Sequence, residues 1–373
     1  MTEPRPVVHF LYQPGNGGLD RVAILLANGM AGRGIPTELW LTRATGYIAH
    51  LISPAVTVRV VPTPNAGGRG LQLFLQIPAL ARMIAKHRPR AIFSAGNQSN
   101  LSLAIARKLS GADTTKIIQK ITNPILRPNM ASLNKLFRTW RFGLTAGLGD
   151  MTLTLSEIDA DIYSRIYPDS SDKFHAVPNP YVEPGMLDAG ESRSARATGQ
   201  PPRLLCVGRV APQKGYETLV SSLALIADRA WSMTILGDGP LLEETKRQIE
   251  TAGLAERITF KGFVSDTTRY FAESDILVLS SQWEGFPAVP IEAMATGCAV
   301  VATDCSEGLT HLMGQIQRNT VAVNDPEALA RAIGQEIDEP GPIEPLRRCA
   351  AAYTVDNSIT QHLRLMEELC DGV

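Results

Sequence analysis

The chain is poor in the features that mark most alternative classes. Its five cysteines, Cys206, Cys298, Cys305, Cys349 and Cys370, are scattered and form no C-x-x-C pair. That spacing excludes the usual zinc arrangements and a disulfide framework, and makes a reducing cytoplasm the default compartment. The net charge is −1, so the chain as a whole has no electrostatic pull toward nucleic acid or an acidic membrane. No apolar run approaches the roughly 20 residues of a membrane span. Residues 1–15 lack the basic region and long apolar stretch of a signal peptide. No repeat of solenoid length is present.

What is there is a 373-residue chain, 44% hydrophobic and 20% charged. It is expected to be folded and soluble, and is long enough for two α/β domains. Apolar runs of strand type at residues 7–12, 37–41, 56–61, 91–94, 116–121 and 151–155 alternate with helical patterns at 19–33, 71–85 and 99–109. This is the βα alternation of a parallel sheet. His9 falls inside the first strand and reads as a core residue. Ser156 is placed to cap a helix, with Asp159 reaching back to it. Asp159-Ala160-Asp161 is formally a D-x-D triplet, but two residues apart on a helix face different ways, so no metal site is expected there. Residues 182–202 are polar and read as a linker. The alternation then resumes, with strands at 203–207, 233–236, 258–260, 276–279 and 298–302 and a loop of small residues at 303–309. Helices are expected from the 208–215 turn to about residue 227, and at 324–337 and 353–369.

Residues 273–301 hold the most chemistry. A buried strand, a loop broken by Gly285 and Pro287, a short helix carrying Pro290, and a second strand follow one another. Proline costs nothing in a first helical turn, where its missing N–H has no partner. Such a helix N-terminus favours phosphate, and loops at the carboxyl ends of parallel strands are where ligands bind. Glu292, one turn into the helix, can accept from a ribose diol, while Glu284 in the loop can hold hydroxyls further out. An ordinary strand–helix–strand unit with two solvated glutamates would also fit the pattern.

Glu284-Gly285-Phe286-Pro287, followed by Glu292-Ala293-Met294-Ala295 and Gly297, resembles the E-x7-E signature of retaining GT-B glycosyltransferases, family 4 above all. One small departure is Ala299, where that family usually has proline. The resemblance implies two Rossmann-like domains with parallel sheets facing each other across a cleft. Residues 1–182 would take the acceptor and residues 183–354 the nucleotide-sugar, with a helix at 355–373 crossing back. By the same resemblance Glu292 binds ribose, and Glu284 and the backbone of Phe286, Pro287, Ala288 and Val289 hold the sugar.

Gly208-Arg209 and Lys214-Gly215 bracket another strand-to-helix turn. Fixed cations there can compensate a departing diphosphate without a metal, and two exposed surface cations are the alternative. The G-R-x-x-x-x-K-G run resembles the family's diphosphate site, which assigns Gly208, Arg209 and Lys214 to it. Phe263 and Val264 stand where relatives hold the base by backbone atoms. Gly17 and Gly18 lie in a glycine-rich turn that resembles the family's opening, whose Gly-Gly pair faces the donor phosphates and the acceptor, although a plain strand-to-helix turn reads equally well. Near the end of the 116–121 strand, many relatives carry a His or Asp. Here Lys120, Thr122, Asn123 and Arg127 are the acceptor-side candidates, and the general base stays open.

The expected function is retaining, metal-independent glycosyl transfer from a UDP- or GDP-linked sugar to a glycan or lipid-linked acceptor in envelope or exopolysaccharide synthesis. No cofactor, metal or nucleic acid is expected to take part. A GT-B epimerase or phosphorylase, or a non-catalytic nucleotide-sugar-binding subunit, remains as an alternative. An epimerase turns over without acceptor, a phosphorylase needs phosphate, and a binding subunit binds without transfer. Residues 126–149 interleave Arg127, Lys135, Arg138 and Arg141 with Leu133, Leu136, Phe137, Trp140, Phe142 and Leu144. That stretch could lie on a membrane surface or pack half-buried. The expected location is the cytoplasm, with the inner face of the cytoplasmic membrane as the alternative placement.

Overall fold

The computed structural model describes residues 5–15, 17–126, 130–192 and 200–372. Two compact units emerge: residues up to Pro180 together with those from Val355 onward, and Tyr181–Thr354.

The first unit carries seven strands: β1 (Val7–Leu11), β2 (Thr37–Leu41), β3 (Thr57–Val60), β4 (Ala91–Ser94), β5 (Lys116–Lys120), β6 (Met151–Thr154) and β7 (Phe174–Ala176). They form one sheet in the order β3-β2-β1-β4-β5-β6-β7. Neighbours pair in parallel, with Val7 opposite both Thr37 and Ala91. The inner strands are buried along their whole length, as expected of a parallel sheet covered on both faces. Val8 and Phe10 pack on one side with Leu80, Ile84 and Leu103. Leu11, Leu39 and Leu41 pack on the other with Ala23, Ile24 and Ala27. The single helix expected at 71–85 is two, Arg69–Leu75 and Ile77–His87. Pro78 lacks the N–H that would continue the first helix, so it begins a new one.

The C-terminal helix Val355–Asp371 belongs to this unit and buries Ile359, His362, Leu363, Leu365 and Met366. Gly29 makes room for it: a Cβ at that position would lie 1.9 Å from Ile359 Cδ1. The helix also explains Lys120. Expected on the acceptor side, Lys120 is instead buried at 5% exposure, with Nζ 3.0 Å from His362 Nε2. His362 Nδ1 lies 2.8 Å from the Ser358 carbonyl, so Nδ1 donates there and Nε2 accepts from lysine. His9 is buried as expected and stacks on Phe93, with 5.0 Å between ring centroids.

The second unit has five strands: β8 (Arg203–Val207), β9 (Ser232–Leu236), β10 (Ile258–Gly262), β11 (Ile276–Leu279) and β12 (Ala299–Ala302). They run parallel in the order β10-β9-β8-β11-β12. Leu204, Cys206, Ile235, Val278 and Val301 build the core with Leu219, Leu223, Leu329 and Ile333. Two expectations are corrected here. The stretch read as a linker contains the helix Pro184–Glu191, whose Gly190 lies against the Ala295 carbonyl. The stretch read as a loop at 303–309 starts the helix Glu307–Gln315, capped by Ser306. Gly237 ends β9 at φ +138, and a Cβ there would sit 2.0 Å from the Gly208 carbonyl oxygen.

Two outcomes follow. Burial pulls the Lys120 ammonium down to about 7, against an ordinary value of about 10.4. Between those values the folded chain binds fewer protons than the unfolded chain, so stability rises with pH. Urea midpoints of the first unit should climb from about pH 7 to about pH 10 and lose that slope in Lys120→Met. Parallel curves for the two proteins would contradict this. Gly237→Ala should destabilise the second unit by about 1–3 kcal/mol, read as a lower unfolding midpoint. An unchanged midpoint would show that the close approach to Gly208 relaxes freely.

Candidate functional site

In a parallel sheet every strand ends on the same edge. In the second unit that edge collects the loops after β8, β10, β11 and β12. The chain runs outward through β9 and β10, then returns to the other side of β8 with β11. Beside β8 and β11 the strand order therefore reverses, and open α/β sheets bind ligands at such a reversal. The two loops that flank it are those carrying Arg209–Lys214 and Glu284–Glu292.

Side chains tie these two loops together. Lys214 Nζ lies 2.6 Å from Glu284 Oε1, with the side chains 19% and 12% exposed. Gln213 Nε2 donates to Glu284 Oε2 at 3.2 Å and to the Trp283 carbonyl at 2.8 Å. Ser281 Oγ donates to Glu284 Oε1 at 2.9 Å. Glu284 is thus held by a cation, an amide and a hydroxyl at once. The chain permits this because Gly215 takes φ +62, with the Ser280 carbonyl oxygen 2.1 Å from where a Cβ would be. Gly208 lies against the Lys214 stem, 3.0 Å from Cβ position to Cε. Arg209 is exposed and has no ion-pair partner among the described residues.

The helix Ala288–Ala295 follows, with Pro287 at its N-cap and no side-chain cap. Its first N–H groups, at Ala288 and Val289, therefore have no partner within the helix. Pro290 stands third, still within the turn whose N–H groups are unused, and Glu292 stands fifth and half-buried. Phe263 and Val264 follow β10, with Phe263 47% exposed. Behind the Glu284 loop, Glu284 N donates to the Cys305 carbonyl at 2.7 Å, and Ser306 Oγ donates to the Gly285 carbonyl. Burial, helped by the Glu284 charge, pushes the Cys305 thiol up to about 12, and burial pushes Cys206 up to about 11. Both stay protonated near neutrality, so neither is a thiolate nucleophile.

The first unit has its own reversal beside β1 and β4. Gly17 and Gly18 start the helix Gly18–Gly32 after β1, and the Asp20 carboxylate accepts from Gly17 N at 3.4 Å. Burial raises the Asp20 pKa above its ordinary value. Asn97, after β4, accepts from Thr122 N at 2.8 Å and donates to the Asn123 carbonyl at 2.9 Å. It fixes both residues on the same edge as the glycine turn. Arg127 lies outside the described residues. Sequence reasoning missed Asn97, Gln213 and Ser281, whose residue types are common in any loop. Their only advance signal is that they follow predicted strands. A separate cavity of about 480 Å³ at the β3 edge, lined by Val60, Met83, Lys86 and His87 among others, borders none of the expected site residues.

The helix Ser132–Leu148 buries Phe142, Thr145 and Ala146. Leu133, Leu136, Phe137, Trp140 and Leu144 form a stripe on its exposed side, with Leu133 78% and Trp140 62% exposed. Lys135 and Arg141 are exposed beside that stripe. Among the described residues no helix is long and apolar enough to cross a membrane.

Comparison with known proteins places these features. Residues 17–180 match the profile of the glycosyl transferase 4-like domain, and residues 201–339 that of glycosyl transferases group 1. The chain is 25% identical over 309 residues to N-acetylgalactosamine-N,N'-diacetylbacillosaminyl-diphospho-undecaprenol 4-alpha-N-acetylgalactosaminyltransferase of Campylobacter jejuni, covering 82% of each chain. It is 33% identical over 188 residues to the lipopolysaccharide core biosynthesis mannosyltransferase LpcC of Rhizobium leguminosarum, covering 46% of this chain and 53% of that one. The fold matches the crystal structure of Anabaena HepE in complex with UDP and glucose, with a TM-score of 0.76 and 17% identity over 97% of this chain and 99% of that one. With both units matched and the E-x7-E and diphosphate-type loops brought to one sheet edge, the chain belongs to the group 1 glycosyl transferases and is a glycosyltransferase of GT-B fold.

Proposed function

We propose that this enzyme transfers a sugar, with retention at the anomeric carbon, from a nucleoside diphosphate donor bound by the second unit to a lipid-linked saccharide of envelope or exopolysaccharide assembly bound by the first. The observation that carries this reading is the convergence of Arg209, Lys214, Glu284 and the uncapped Ala288–Ala295 helix around the reversal beside β8 and β11. Glu292 accepts from the ribose diol. Arg209, Lys214 and the helix N-terminus take up charge as the diphosphate leaves. Glu284 and the N–H groups of residues 286–289 (Pro287 excepted) hold the sugar. The acceptor oxygen bonds to the anomeric carbon as the bond to the diphosphate oxygen breaks. The electron pair goes to the diphosphate, whose oxygen also takes the hydroxyl proton. Thr122 and Asn123, fixed by Asn97, are assigned to the acceptor side along with Gly17 and Gly18. The name of the Anabaena complex favours UDP over GDP as the first donor to try.

The exposed stripe of the Ser132–Leu148 helix is assigned to the membrane surface, where a lipid-linked acceptor resides. Its apolar side chains are exposed, and cations flank them.

Three outcomes are expected. In a thermal-shift screen of UDP- and GDP-sugars, one donor should raise the midpoint of the wild type and not of Glu292→Ala. Equal shifts for both proteins would remove Glu292 from the nucleotide site. With that donor, Arg209→Ala and Lys214→Ala should each lower kcat by about 10²–10³-fold, and EDTA should leave wild-type turnover intact. In co-sedimentation with anionic phosphatidylglycerol vesicles, Leu136→Ser/Trp140→Ser should pellet far less than wild type at equal stability. Unchanged pelleting would take the helix off the membrane.

A further inference from the structure

Both connections between the second unit and the rest of the chain start from one aromatic cluster. The unit begins at Tyr181 and ends at Thr354. Tyr353, next to that end, accepts through its carbonyl from Tyr181 N and from Val182 N, each at 3.0 Å. Val182 and Thr354 form a parallel bridge beside it. Between these two ends lies Phe286, from the sugar end of the proposed donor site. Its ring is 6.4 Å from that of Tyr181 and within 2° of parallel, and 5.5 Å from that of Tyr353 at 19°. The Tyr181 hydroxyl donates to the Phe286 carbonyl at 3.0 Å. Tyr181 and Phe286 are buried.

The loop at residues 284–287 is thus gripped from two directions. Cys305 and Ser306 hold Glu284 and Gly285 through their backbone atoms, and Tyr181 holds Phe286 through its own. A buried carbonyl needs a donor, and the next residues lead straight into the helix N-terminus. Shifting Phe286 would therefore move the carboxylate before it and the N–H groups after it together. Neither tyrosine needs to touch a ligand to do this.

We infer that Tyr181, seated against Tyr353, is a positioning residue that clamps the Glu284–Pro287 loop at the height the donor sugar requires, from the point where the chain enters the unit. This inference rests on the reading of that loop as the sugar-binding end of the site. It concerns the sugar rather than the nucleotide, because the clamped residues are those assigned to the sugar, while Arg209 and Lys214 stand on the loop after β8.

Hydrogen–deuterium exchange of the full chain tests the clamp without reference to activity. Tyr181→Phe keeps the ring and loses only the donor to Phe286. Amides of residues 284–289 should then exchange about 2–10-fold faster, the range expected for one net hydrogen bond, while β8 to β12 stay as in wild type. Tyr353→Phe, which keeps the ring and the carbonyl, should leave loop exchange alone. In turnover with the donor found by thermal shift, Tyr181→Phe should lower kcat by a similar factor and leave the affinity for free UDP unchanged. Unaltered loop exchange in Tyr181→Phe overturns the inference. So does acceleration spread equally over the strands, which would mark a merely structural tyrosine. If instead Glu292→Ala binds UDP normally, the nucleotide reading fails, and the exchange result still decides the clamp.

Discussion

The Lys214–Glu284 pair, 2.6 Å apart and largely shielded from water, is the contact on which the second unit's site depends. It joins the loop after β8 to the loop after β11 across the point where the sheet reverses. A shielded charge that loses its partner is costly, so each residue fixes the other in the absence of ligand. Gln213 and Ser281 take up remaining lone pairs of the carboxylate. In the proposed reading this holds Lys214 in place for a leaving group whose charge must be met without reorganisation. Glycine at 208 and 215 permits the approach, since a Cβ at either position would crowd Lys214 or the Ser280 carbonyl.

The first unit applies the same topology to a different end. Its reversal beside β1 and β4 gathers a glycine turn and a small polar loop, with Asn97 joining the loops after β4 and β5. The carboxylate at that edge, Asp20, accepts from the Gly17 N–H. Lys120, the nearest strong base in sequence, is spent in the interior on His362 of the C-terminal helix. In the proposed reading the leaving phosphate accepts the proton itself, so the reaction asks for no base from this edge.

Much of this was legible in the sequence because strand, turn and helix leave separate marks. Ile276–Leu279 reads as buried, Gly285 and Pro287 break the run, and Pro290 fits a first turn. The E-x7-E and G-R-x-x-x-x-K-G motifs then fall where a parallel sheet puts its loops. What escaped depends on tertiary contact. The Pro184–Glu191 helix has a polar, glycine-bearing sequence and is held by packing of Gly190 on the Ala295 carbonyl. The Glu307–Gln315 helix was hidden by small residues before its Ser306 cap. Lys120 read as an acceptor-side candidate because nothing local announces a helix arriving from 242 residues further on. The basic stretch at 126–149 gave two readings, and only exposure separates the buried Phe142 from the bare Trp140.

A crystal structure of the enzyme with UDP decides whether the loops after β8 and β11 form one nucleotide site. The diphosphate should lie within hydrogen-bonding distance of Arg209 and Lys214, and the ribose diol on the Glu292 carboxylate. A nucleotide bound with its ribose away from Glu292, or with its phosphates on neither cation, would contradict that arrangement.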